Sequence, residues 1–190
     1  MNAAGDTVVA WLEDTRTGAD VNWRLRSVRR HPGGQAGDAQ TIASGVGPRE
    51  PTLSLAIDQA GDAVAVWRSW DGVFSSAVDA ARLPLGGSWE AAVRLDADAT
   101  PLYLSDGRER VSVVADPAGG TTAAWVRNAQ GAAPELRASD RAPLGRWTAS
   151  TPIASPAASD HLAISDDGTT IAAWTVPAPA PVKPQIAASP

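Results

Sequence analysis

The sequence predicts an all-β chain assembled from four-stranded antiparallel repeats, and three observations carry that prediction. A seven-residue phrase recurs four times: GDTVVAW at 5–11, GDAVAVW at 61–67, GGTTAAW at 119–125 and GTTIAAW at 168–174. Its tryptophans, Trp11, Trp67, Trp125 and Trp174, follow one another at spacings of 56, 58 and 49, which sets one repeat unit. The stretches ahead of the phrase alternate apolar with polar or small residues at period two, the spacing of a strand and not of a helix.

Each element of the repeat follows from local chemistry. The first strand is the alternating run Leu53, Leu55, Ile57 in the second copy, Val111, Val113, Ala115 in the third and Leu162, Ile164 in the fourth. A tight turn comes next, with Asn2, Asp58, Asp116 or Ser165 at its first position and Gly5, Gly61, Gly119 or Gly168 at its fourth. Asn, Asp and Ser favour the first place of a type I turn, Gly the fourth, and Pro117 occupies the second place, where Pro is favoured. The second strand ends in the repeated Trp. It is apolar or small on both faces, as a sheet covered on both sides requires. A third strand spans 21–30, 73–82 or 135–141, and HPGG (31–34), LPLGGSW (83–89) and APLGRW (142–147) make a second hairpin turn. The fourth strand follows at 39–44, 91–96 or 149–154. Residues 89–99, WEAAVRLDADA, have helical propensity in isolation, but their counterparts are rich in Thr, Ser and Pro, so the repeat assigns a strand.

Four-stranded units of about 50 residues with Gly turns and a repeated Trp are the signature of β-propeller blades; a tandem array of small sandwiches would need about 100 residues per domain. The chain reads as a partial β-propeller over 1–190, with repeats at approximately 1–47, 48–101, 102–157 and 158–190. The first copy has no strand before its turn, and the last ends within its third strand. The expectation is an incomplete ring of about 3.5 blades, where closed propellers have roughly four to eight.

Composition narrows the function. Hydrophobic residues make up 44% of the chain, enough for a packed core. Eight Trp stand against Phe74 and Tyr103 as the only other aromatics, so Trp fills one slot many times. A net charge of −5 disfavours nucleic-acid binding, which needs a basic footprint. No apolar run approaches the roughly 18 residues of a membrane span. The absence of cysteine excludes disulfides, thiol catalysis and cysteine-based zinc sites. The opening MNAAGDTVVAW has no basic and apolar leader, so a signal peptide would have to lie upstream. The wealth of Ala, Gly and Pro, with Lys183 the only lysine, has a bacterial cast.

On LAIDQAGDAVAVW (55–67) and LPLGGSW (83–89), the chain resembles the tandem propeller repeats of large exported bacterial proteins, loosely described as sialidase-like or BNR-like. The resemblance implies an extracellular or cell-envelope location. SDDGTTIAAW (165–174) is similar to a sialidase Asp-box, except that Gly168 directly follows Asp167 and the stretch belongs to the first hairpin.

The hairpin turns repeat closely, whereas the other connections, 12–20, 68–72, 126–134 and 175–184 together with 45–51, 97–109 and 155–159, vary and in a propeller share the face opposite the tight hairpins. Varied loops on a rigid scaffold are where binding usually resides. In WRSWDG, Arg68, Trp70 and Asp71 join an indole to polar groups able to stack and hydrogen-bond a sugar or a partner's side chain. In YLSDGRERV (103–111), Tyr103, Asp106, Arg108 and Arg110 crowd one loop. The expected function is a non-catalytic binding or scaffold module that contacts glycans or protein partners, or the remaining blades of a larger ring, through the loops at 12–20, 68–72 and 97–109. The alternative is a fragment of a sialidase-like glycoside hydrolase, whose chemistry uses an arginine cluster, a Tyr–Glu pair and an acid. No cofactor is expected. Asp96 and Asp98 supply too few oxygens for calcium, and His31 and His161 are too few for a histidine-rich site, so no metal is expected either.

Overall fold

A computed structural model of the chain describes residues 1–70, 75–98, 110–127 and 133–176. Among the described residues the regular structure is all strand, arranged as antiparallel sheets in chain order. The first sheet holds β1 (Thr7–Thr17), β2 (Asp20–Arg30) and β3 (Gln40–Gly47). The second holds β4 (Thr52–Ile57), β5 (Ala63–Trp70), β6 (Ser76–Leu83) and β7 (Val93–Asp98). The third repeats that order with β8 (Val111–Ala115), β9 (Thr121–Arg127), β10 (Glu135–Arg141) and β11 (Thr151–Ala154), and β12 (Ser159–Ile164) pairs with β13 (Thr170–Thr175) in the fourth. Every strand pairs with its sequence neighbour, so each sheet is a meander. The WEAAVRLDADA segment forms β7, so the repeat outweighs local helical propensity there.

The first hairpin turns are built as their side chains require. Gly61 donates its N–H to the Asp58 carbonyl at 3.2 Å and Gly119 to that of Asp116 at 3.1 Å. The carboxylates of Asp58 and Asp116 each accept the N–H four residues on, at 2.9 Å. Gly61 and Gly119 sit at φ +90° and +93°, a region closed to β-branched residues. In the fourth copy the cap passes to Asp167, which accepts the Thr169 N–H at 2.9 Å. Hydrogen bonds from Ser165 and Thr169 hold the Asp167 carboxyl down to about 2.

The second hairpins place a positive φ at the third turn position: Gly33, Gly86 and, in the third copy, Leu144 at φ 55°. A left-handed conformation costs a non-Gly residue roughly 1–2 kcal/mol. Leu144→Gly is therefore expected to stabilise the chain by about 0.5–1 kcal/mol, once the greater flexibility of Gly in the unfolded chain is subtracted. Urea unfolding measures this, and a net loss would mean that the leucine side chain is needed for folding.

Successive sheets pack face to face. Leu25, Val21 and Trp23 of the first meet Ala65, Trp67 and Ala81 of the second. Val64, Val66, Val78 and Ala80 of the second meet Val111, Val113 and Trp125 of the third. Ala124, Val126 and Leu136 of the third meet Leu162 and Ala172 of the fourth. The repeated Trp thus faces the preceding sheet. Trp67 and Trp125 are buried, and Trp125 also donates its indole N–H to Asp96 of the second sheet at 2.8 Å. Trp89 closes its hairpin and reaches further, donating to Ser27 of the first sheet at 2.7 Å. The first strands β4, β8 and β12 stand side by side, and the Val113 N–H donates to the Ser54 hydroxyl at 3.2 Å across the gap between sheets.

Two stretches read as loops are strands. The connection at 12–20 shrinks to Gly18 and Ala19, because β1 and β2 pair from Thr7↔Arg30 through to Thr17↔Asp20. Gly18 takes φ +66° as the first residue of that two-residue turn, the place where such hairpins accept Gly. The segment 45–51 begins as the end of β3, and Trp70, expected in a short variable loop, closes β5. Its ring is buried, with the Arg49 guanidinium 4.2 Å above its centre. At the end of β2, Arg29 and the following His31 are engaged within the chain. Arg29 donates to the carbonyls of Gly61 (2.7 Å), Pro84 (3.2 Å) and Leu83 (3.3 Å), and His31 Nδ1 lies 2.6 Å from Asp6.

Candidate functional site

The first residues of β4, β8 and β12 enclose a cavity of about 290 Å³. Thr52 and Ser54 line it from β4, Arg110 and Ser112 from β8, and Asp160 and His161 from β12. It opens where the chain enters these strands, the end at which the connections vary most.

Asp160 is the unusual member. Its side chain faces the third sheet, and the residue is 1% exposed, with neither carboxylate oxygen in a well-formed hydrogen bond. Burial pushes its carboxyl above the usual range, against smaller opposing effects from the Ser112 hydroxyl, Arg68 and His161. Register explains how it stands out. Leu53 pairs with Trp67, Val111 with Trp125, and Asp160 with Trp174, so Asp160 occupies a slot that is apolar in the two preceding sheets. That mismatch is legible in the repeat once the copies are aligned on Trp, and it is the signal the sequence reading above does not use.

The structure sorts the residues named from sequence. Arg68 is buried behind the cavity; it donates to the Val126 carbonyl at 2.6 Å and helps to balance Asp160. It ties the second sheet to the third from inside. Arg110 is exposed on the cavity rim. Trp70 is buried beneath Arg49 and does not line the cavity. Asp71, Tyr103, Asp106 and Arg108 lie outside the described residues. The site thus joins Arg68 and Arg110 to four residues that sequence reasoning did not select as ligands: Thr52, Ser54, Ser112 and Asp160.

A carboxylate held buried with so little hydrogen bonding opposes folding at neutral pH. Because its folded-state pKa is raised, the folded chain binds the proton more tightly than the unfolded one, and stability falls as pH rises between the two values. Asp160→Asn is therefore expected to unfold at higher urea than the wild type at pH 7. The gap should close as pH falls towards the ordinary carboxylate range. A gap that widened on acidification would show that the charged form is the one the fold favours.

Among the described residues no group of three or more His, Cys, Asp or Glu side chains is placed to hold a metal ion, and no helix is long and apolar enough to cross a membrane. No protein-family model and no curated protein matches the chain.

Proposed function

We propose that the chain is a non-catalytic, β-propeller-type binding module, and that it takes a glycan at the cavity between β4, β8 and β12. The observation that carries the reading is Asp160: an acid in an otherwise apolar repeat slot, buried against a cavity also lined by the hydroxyls of Thr52, Ser54 and Ser112 and by Arg110 and His161. Sugars present closely spaced hydroxyl donors and acceptors. A carboxylate with open lone pairs accepts from such donors, while Thr52, Ser112 and the Arg110 guanidinium at the rim complete a polar lining. Residues that oppose stability are retained where they serve a site.

The propeller reading draws support from consecutive four-stranded meanders that pack face to face with their first strands gathered on one side. The exported, sialidase-like repeat proteins that the sequence resembles supply the cellular setting, outside the cytoplasm. Glycoside hydrolysis normally uses two carboxyl groups about 5–10 Å apart. Among the described residues lining this cavity, Asp160 is the sole carboxyl, which favours binding over turnover.

Glycan-array binding of the chain tests the proposal, with Asp160→Asn as the control. Binding without turnover, weakened at least tenfold by Asp160→Asn, is the expected result. That factor is about 1.4 kcal/mol and suits the loss of one charged hydrogen-bond acceptor. Binding that is indifferent to Asp160 would move the site elsewhere. Hydrolysis of a chromogenic glycoside, lost in Tyr103→Phe, would establish the enzyme alternative.

A further inference from the structure

At the opposite end of the sheets, between the outer hairpins of the second and third, lies a groove of about 510 Å³. Its lining joins cations to apolar side chains: Arg82, Glu90 and Val93 come from the second sheet's hairpin, and Arg141, Leu144, Arg146 and Trp147 from the third's. The three guanidiniums are not equivalent. Arg82 is neutralised by Asp62 and by Glu90, the latter at 2.9 Å. Arg146 is exposed and makes no ion pair among the described residues.

Arg141 is 7% exposed, and no carboxylate among the described residues lies within ion-pairing distance of it. Its Nη2 makes two long contacts, to Thr121 Oγ1 at 3.3 Å and the Gly119 carbonyl at 3.5 Å, and its Nε has no partner. Burial, and next the charge of Arg82, pull its pKa below the usual arginine value, against smaller opposing effects from the carboxylates of Glu90, Asp62 and Asp58. Arg141 pairs with Thr121 as Arg30 pairs with Thr7 in the first sheet, and the second sheet fills the slot with buried Leu83; Arg30 is exposed, so the burial of its cation sets Arg141 apart. A buried charge without a counter-ion is costly, and leucine would be the favourable choice on stability alone.

We propose that this groove binds a monocarboxylate carrying an apolar body, its carboxylate on the guanidiniums of Arg141 and Arg146 and its body against Trp147, Leu144 and Val93. The planar guanidinium matches a carboxylate or a phosphate oxygen pair. Glu90 in the same groove opposes a dianion more than a monoanion, which favours the carboxylate. The surface that receives the body is open: Leu144 is 81% exposed and Val93 is half-exposed. The site shares no residue with the cavity at Asp160.

Calorimetric titration of the full chain with N-acetyl-phenylalanine tests the assignment. Its size predicts a dissociation constant on the order of 1 mM. N-acetyl-phenylalanine amide, which keeps the body and removes the charge, should bind about tenfold more weakly, and phenyl phosphate should also be weaker than the acid. Arg141→Met should abolish the preference for acid over amide, and because it removes an unpaired buried cation it should fold at least as stably as the wild type. Should that variant fail to fold, Arg146→Ala is the substitute, with the same narrowing of the acid–amide difference expected. Equal affinity for acid and amide in the wild type, an unchanged preference in either variant, tighter binding of the phosphate, or no heat at saturating acid would each overturn the proposal.

Discussion

Trp125→Ala is expected to destabilise the chain by about 3–5 kcal/mol, while Trp174→Ala, at the same repeat position, costs less than half as much. The two residues share one slot in the sequence and differ in what surrounds them. Trp125 is fully buried, packed against Val64, Val66, Val78 and Ala80 of the preceding sheet, and hydrogen-bonded to Asp96. Its removal leaves a large void and strands the Asp96 carboxylate, whose nearest remaining cation, Arg137, is 4.0 Å away. Trp174 remains 42% exposed, and the fourth sheet packs against the third through Leu162 and Ala172. Urea unfolding of both variants decides the matter. Equal losses would show that the slot itself, through propensity or the unfolded chain, sets the energy; unequal losses in the expected order assign it to packing between sheets. Trp70, expected in a variable loop, is buried much as Trp67 is, so its removal should also be costly.

What the sequence makes legible is whatever the repeat writes more than once. A turn that opens on Asn, Asp or Ser and closes on Gly appears in every copy because a capping side chain and a positive φ are needed each time, and both are found at Asp58/Gly61 and Asp116/Gly119. The alternation around Leu53, Leu55 and Ile57 and around Val111 and Val113 marks first strands, because a face buried against a neighbouring sheet must be apolar at period two. Even the helix-like WEAAVRLDADA is read correctly, since its counterparts exclude a helix.

The site is legible only by the opposite operation, the search for departures from the repeat. Asp160 against Leu53 and Val111 is a charge in an apolar slot, visible once the copies are aligned; Arg141 departs from Leu83 but matches Arg30 of the first copy, and only its burial distinguishes it. Attention to loops alone selects Arg68 and Trp70, which lie in WRSWDG but belong to a strand that continues through Trp70. The alternation there is hidden because both faces of β5 are covered, so polar and apolar residues no longer separate by period. Connection 12–20 misleads for a related reason: after Leu12 the segment LEDTRTGAD is mostly polar, yet its residues extend a hairpin that faces solvent, where polar strand residues are ordinary.

Gly47→Ala is expected to cost about 3 kcal/mol, at the upper end for overpacking, although Gly47 lacks a positive φ and adds only one methyl group. The residue ends β3 where the first sheet meets the end of β5. A Cβ built there would stand 2.0 Å from the Trp70 carbonyl oxygen, a contact that no rotamer change relieves because both partners are backbone. The end of β3 or the end of β5 must move. Movement of β5 shifts Trp70 beneath Arg49 and, two residues back, Arg68, whose bond to the Val126 carbonyl joins the second sheet to the third beside Asp160. Gly18→Ala supplies the contrast. Gly18 has φ +66° but open space around its Cβ direction, so it should lose only the left-handed penalty of about 1–2 kcal/mol. Unfolding of the two variants gives the ranking, and glycan titration gives a second readout that a purely local strain would leave alone. Gly47→Ala should weaken binding at the Asp160 cavity as well as the fold, and Gly18→Ala should weaken the fold alone. A Gly47→Ala chain as stable as the wild type would mean that the two strand ends separate freely, and that the cavity is not held in place by the junction of the first two sheets.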